Sequence, residues 1–205
     1  MTTERQAHFW DDRLEVAREL TLVGLGVASV FSLGRLFMGT SHLGPLLLHL
    51  AAATVVLVTV RRTNLSLLVA ALVTPLAAAW VTVLVFHPRT LFAGLPTMNS
   101  LDAVRADLDR AFSLFGEAPT PAEPETGFLI LSAAALWVAA FVADWAAMRL
   151  RTPVEAMLPA GTIFVFAAVL ADDHQRAAVT AVALLAALTY FLVHRVATQA
   201  RGGHW

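Results

Sequence analysis

Long apolar runs dominate the chain, and polar positions fall almost entirely between them. A helix needs about 20 residues to cross a hydrocarbon core of roughly 30 Å. Six runs approach that length, at 20–38, 43–60, 65–86, 127–148, 153–171 and 177–196. The pattern predicts an all-α integral membrane protein: a six-transmembrane-helix bundle over residues 20–196, flanked by an N-terminal segment at 1–19 and a tail at 197–205. The first run is too long for the core of a signal peptide, follows an acidic flank and lacks a small-residue cleavage site, so it reads as a retained anchor.

The only long connection covers residues 87–126. Within it Leu101, Val104, Leu108, Ala111, Phe112 and Phe115 recur at helical spacing, while Asp102, Arg105, Asp107, Asp109 and Arg110 occupy the other side. Asn99 or Ser100 suits the cap, Asp102 the positive first turn and Gly116 the end, which predicts one amphipathic helix. Pro119, Pro121 and Pro124 then make a stiff extended linker back to the membrane. Ahead of the first run, Trp10, Leu14 and Ala17 form a short stripe, which fits either an interfacial helix or a frayed tail.

Arginine placement orients the bundle, because short cytoplasmic loops retain positive charge. With the N-terminus inside, Arg5, Arg13, Arg18, Arg61, Arg62, Arg149, Arg151, Arg195 and Arg201 lie on the inner side. The outer side holds Arg35, Arg89, Arg105, Arg110 and Arg176. Both termini are therefore expected in the cytoplasm and the long loop outside it.

Composition strengthens the bilayer reading: 58% of residues are apolar and 14% charged, against roughly 45–50% and 25% in soluble domains. All 14 basic residues are Arg, and with 15 carboxylates they leave a net charge of -1, so there is no basic footprint for nucleic acid. The absence of cysteine removes disulfides, Cys-ligated metal centres and a thiol nucleophile.

Ionisable residues inside a span are functional suspects by default. Here they are Arg35 and Asp144, with His49 as a weaker third. Arg35 lies 15 residues beyond Leu20, which places it about 22 Å along the helix, near the outer end. Asp144 lies near the inner end of a span running inward, so the two cannot pair directly. Arg35 is expected to snorkel outward or meet a loop carboxylate. Asp144 is expected to meet the arginine rim of Arg61, Arg62, Arg149 and Arg151 in a structural pair.

His42, His49, His87 and His174 gather toward the outer side, but no ligand spacing supports a metal site, and no cofactor is implied. Thr152, Pro153 and Glu155 read as a capping box at the fifth span rather than as catalytic groups. Small residues line the first span at Gly24, Ala28 and Ser32 and the fourth at Ala135, Ala139, Ala143 and Ala147, as close helix packing requires. Pro75, and Pro159 with Gly161, are expected to kink the third and fifth spans. No nucleophile elbow, phosphate loop, dinucleotide fingerprint or HExxH run is present, and no catalytic set assembles.

Two runs carry a family likeness. One is Leu91-Phe92-Ala93-Gly94-Leu95-Pro96-Thr97 in the long loop; the other is the stretch from Ala135 to Asp144, continued by Trp145-Ala146-Ala147-Met148-Arg149. With the six spans they resemble the membrane-embedded N-terminal region of bacterial TgpA-type transglutaminase-like proteins, and the Ala- and Arg-rich, Lys-free composition is similar to that of actinobacterial members. The resemblance implies a papain-like domain with a Cys-His-Asp triad outside the cytoplasmic membrane, following these spans. Without cysteine, this chain receives no catalytic residue from it. The chain reads as the membrane portion alone, a fragment whose partners are the lipid bilayer and a covalently following extracytoplasmic transglutaminase-like domain, with the amphipathic helix as the expected docking face. The alternative is a small standalone transporter or channel subunit using the kinked spans; a self-contained intramembrane hydrolase is the weakest reading.

Overall fold

In hydrocarbon every backbone N–H and C=O needs a partner within the segment, which leaves helices as the economical way to place such runs. The computed structural model describes residues 2–63, 65–117, 119–173 and 175–202, with side chains described within residues 14–197 and at 199. It contains α1 (Thr2–Gly34), α2 (Leu43–Arg62), α3 (Leu67–Phe86), a 3₁₀ turn (Pro88–Thr90), α4 (Met98–Leu114), α5 (Thr126–Asp144), a π-helical segment (Trp145–Leu150), α6 (Pro153–Leu170) and α7 (Arg176–Gly202). Six windows are long and apolar enough to cross a membrane: Leu14–Gly34, Leu43–Arg62, Leu67–Phe86, Thr126–Leu150, Pro153–Leu170 and Arg176–Ala197. The molecule is a multi-pass helical membrane bundle.

Three expectations change in detail. α1 is one continuous helix from Thr2, so the segment before the first span is neither a separate interfacial helix nor a frayed tail. Glu15, Ala17, Arg18, Glu19 and Leu20 are good helix formers and nothing in the junction breaks the run. The side chain of Trp10 lies outside the described residues, as does all of His174. α3 starts at Leu67, where Ser66 Oγ accepts the Val69 N–H at 3.3 Å. α4 starts at Met98 with Thr97 as its N-cap, in place of Asn99 or Ser100.

α1 and α5 form the centre. α1 packs on α2, α5, α6 and α7, and α5 packs on α1, α2, α3, α4 and α6. One core joins Val30, Leu33, Leu46, Leu50, Leu136 and Ile163 at mid-bundle, and a second joins Leu25, Ala146, Ala147, Ala156 and Tyr190 toward the side of the chain termini. α1 and α2 approach at Gly26, where a Cβ would meet Leu50 Cδ1 at 2.5 Å; Gly24, named from the small-residue stripe, has open space instead. Only 17% of the apolar window of α6, and of α7, is buried, so their outward Val and Leu side chains face the surroundings. That surface is suited to lipid and not to water.

The long connection is built rather than loose. Phe92 and Leu95 exchange N–H···O bonds of 3.0 and 2.9 Å across a turn whose central residues, Ala93 and Gly94, have φ of 49° and 80°. The Gly94 carbonyl accepts Trp80 Nε1–H from α3 at 2.9 Å. Ser100, fully buried, accepts the Thr97 N–H at 3.0 Å and donates to the Thr90 carbonyl at 3.0 Å, while Thr97 Oγ1 donates to the same carbonyl at 2.9 Å. α4 then crosses α5 where Gly127 has no side chain: a Cβ there would meet the Asp107 carbonyl and lie 2.7 Å from Ala111 Cβ. The proline-containing linker is pinned to the end of α1 by Met38 N–H to Ala122 O and Ala122 N–H to Leu36 O, each 2.8 Å.

Candidate functional site: the buried ionic groups

Asp144 ends α5 and Arg61 is the penultimate residue of α2, so both reach the same level on the side of the termini. Arg61 donates Nη1–H to Asp144 Oδ1 and Nη2–H to Glu19 Oε1 of α1. The three side chains are only 16–17% exposed. One guanidinium thus ties three central helices together with two carboxylates, a geometry its planar fork favours. Of the expected arginine rim, only Arg61 pairs with Asp144; Arg149 donates to the Leu65 carbonyl at 2.9 Å, and Arg62 and Arg151 are exposed. Above the trio lies a cavity of about 60 Å³, room for a few waters. Ser29 and Thr54 border it, but their hydroxyls are bonded back to Leu25 and Leu50 carbonyls at 2.9 Å.

Arg35 lies at the opposite end of α1. It is 7% exposed and donates Nη2–H to the Asp172 carbonyl, so its guanidinium is drawn onto the α6–α7 connection instead of snorkelling outward. The turn after α6 puts that carbonyl acceptor within reach of the guanidinium.

His49 is fully buried between these ends. Its Nδ1 accepts Trp137 Nε1–H at 3.1 Å, and its ring stacks on Phe86 with centroids 5.5 Å apart. An imidazole that accepts at Nδ1 is neutral and carries its proton on Nε2. His49 is therefore a packing and hydrogen-bonding bridge among α2, α3 and α5. His42, seven residues earlier, is also buried, with its ring 5.3 Å from Phe37. His87 instead meets Asp107 Oδ2 of α4 at 3.2 Å.

One polar cluster has no counterpart in the sequence reading. Tyr190 of α7, fully buried, packs its ring 5.9 Å from His194, and the charge of Arg18 on α1 acts on both. A lone Tyr in an apolar run was the available signal, but only packing brings α1 alongside the end of α7. Arg35, His49 and Asp144 stay at separate levels, and among the described residues no three His, Asp or Glu converge as metal ligands.

The family description "TgpA N-terminal domain" matches residues 24–205, nearly the whole chain. The chain belongs to the TgpA N-terminal domain family. It is the membrane-anchoring part of a TgpA-type protein. No curated protein and no solved structure matches it.

The two runs that carried the likeness to TgpA proteins turn out to be local devices. The loop run forms the turn held by Trp80 and the Thr97 cap. The Asp144–Arg149 run leaves α-geometry: Trp145–Leu150 is π-helical and ends at Arg151 with φ 59°. π-Segments are rare and costly, and tend to be kept where a widened turn is needed. Here the widening sits directly after the Arg61 partner. It also changes the expected capping box. Thr152 is the N-cap and Pro153 the first helical residue, but Thr152 donates its N–H (3.0 Å) and hydroxyl (3.4 Å) to the Ala146 carbonyl instead of capping Glu155. The same carbonyl also accepts the Arg151 N–H that closes the π-segment, and it draws the hydroxyl away from the cap.

Proposed function

We propose that this bundle anchors and positions a transglutaminase-like domain, following it in the full-length protein, on the long-loop side of a bacterial cytoplasmic membrane. The observation that carries the reading is the family match over residues 24–205, because an N-terminal domain of a TgpA protein is one part of a larger molecule. The polar interior supports an anchoring role. Arg61 binds Glu19 and Asp144, and Arg35 reaches Asp172, so these charges hold helices together. The Cys-His-Asp chemistry that the resemblance implies belongs to the following domain, since this chain has no cysteine. The arginine distribution supports termini in the cytoplasm and α4 outside it.

The reading frame after Trp205 is the direct test. Continuation into a further apolar span and a domain with Cys, His and Asp supports the proposal; a stop codon directly after Trp205 overturns it.

A further inference from the structure

α4 has three faces, and only two have an obvious use. Ala111 packs on α5 at Gly127, and Asp102, Arg105 and Asp109 are exposed on the charged side. Between these faces runs a third, apolar flank. Leu101, Phe112 and Phe115 on it are 62%, 65% and 58% exposed. Burying three such side chains in an apolar phase is worth about 1.5–3 kcal/mol each, too much to leave in water without a reason.

The flank overhangs transmembrane surface. Leu101 borders an apolar groove of about 770 Å³ whose walls include Leu76 and Val138 of α3 and α5. Phe115 borders another, of about 580 Å³, walled by Leu131 of α5 and Phe166 of α6. The ends of the flank thus open over the lipid-facing sides of α5.

The turn before α4 gives an independent depth mark. Trp80, whose indole holds the Gly94 carbonyl, lies six residues before the end of α3, or about 9 Å down the helix axis. Helical side chains lean toward the helix N-terminus, which here is farther from the loop. The Phe92–Leu95 turn therefore hangs beside α3 within its apolar length. Its mutual N–H···O bonds and the indole contact give Phe92, Leu95 and the Gly94 carbonyl the partners that a water-poor environment demands. Phe92 is nevertheless 78% exposed and Leu95 66%.

We infer that this turn and α4 form an in-plane wedge seated in the leaflet on the α4 side, with acyl chains covering the apolar flank and the charged face turned to water. The occupant of the flank is lipid, which leaves only the charged face for a following domain. The inference rests on the membrane-spanning bundle and is independent of what that domain is.

Because the chain has no cysteine, single Cys substitutions label cleanly. The full chain, nitroxide-labelled in turn at Leu95, Leu101, Phe112 and Phe115 and at Asp102, Arg105 and Asp109, is reconstituted in phosphatidylcholine–phosphatidylglycerol vesicles. Collision with oxygen, which partitions into lipid, is compared with collision with an aqueous nickel chelate. The oxygen-to-nickel ratio is expected to be several-fold higher at the first four positions than at the last three. Two outcomes overturn the inference: nickel access at the flank equal to that at the charged face, or flank labels immobile and shielded from both reagents, as protein cover would make them. All seven side chains are exposed, and Arg105 and Asp109 share only a surface pair, so a label does not have to unseat the helix.

Discussion

Arg61 meets two carboxylates with one charge, so its removal should cost more than the removal of either partner. Truncating one member of a buried ion pair leaves an uncompensated charge and costs about 3–5 kcal/mol. Arg61→Met strands both Glu19 and Asp144 and is expected to lower the melting temperature in detergent strongly, while Asp144→Asn keeps the Glu19 pair and loses less. Equal losses, or none for Arg61→Met, would show that the trio does not hold the helices. At the other end, burial lowers the His42 pKa below its ordinary 6.5. The folded ring is then neutral where the unfolded one takes up a proton, so its contribution is complete above about pH 6.5 and is lost as pH falls from there toward the folded value. Wild type should lose melting temperature across that window faster than His42→Gln; parallel pH curves would count against it. Arg35 and Asp144 were legible as residues of opposite ends because rise per residue sets depth. Glu19 was not, since an acid at the edge of an apolar run looks like an ordinary flank until α1 is packed beside α2.

Helix contacts at glycines rank by what a new Cβ would strike. At Gly127 the obstacle is the Asp107 backbone carbonyl, which cannot move without shifting α4; at Gly26 it is the end of the Leu50 side chain, which can rotate. Overpacking typically costs about 1–3 kcal/mol. Gly127→Ala is expected near the upper part of that range, with α4 becoming more sensitive to protease, and Gly26→Ala near the lower. Thermal unfolding with limited proteolysis compares the two, and the reverse order would refute the packing argument. The six long helices were visible in the sequence because a sustained apolar run needs no partner to declare itself. The π-segment was hidden, since Trp145–Leu150 has no composition that separates it from an α-helical end. The α4 cap was misplaced by two or three residues because Ser100 serves Thr97 and Thr90 together, a network that exists only once the 3₁₀ turn folds back.

For the whole molecule, topology is the property most open to test. Cys at Ser113 on the exposed side of α4, and at Thr63 after α2, reports the two faces. An impermeant maleimide should label Ser113→Cys in intact cells and Thr63→Cys only after permeabilisation; the opposite pattern would reverse the orientation drawn from the arginines. The sequence by itself determined the class of molecule: its apolar runs demand a bilayer, and their lengths set how many helices cross it. Its two family-like runs also marked it as a TgpA N-terminal domain. Which charges meet was decided only by the tertiary structure. Glu19, Arg61 and Asp144 lie on three different helices, as do Arg18 and Tyr190 on two. Spacing along a chain fixes height and face on one helix, whereas the neighbour across the interface depends on how all six pack.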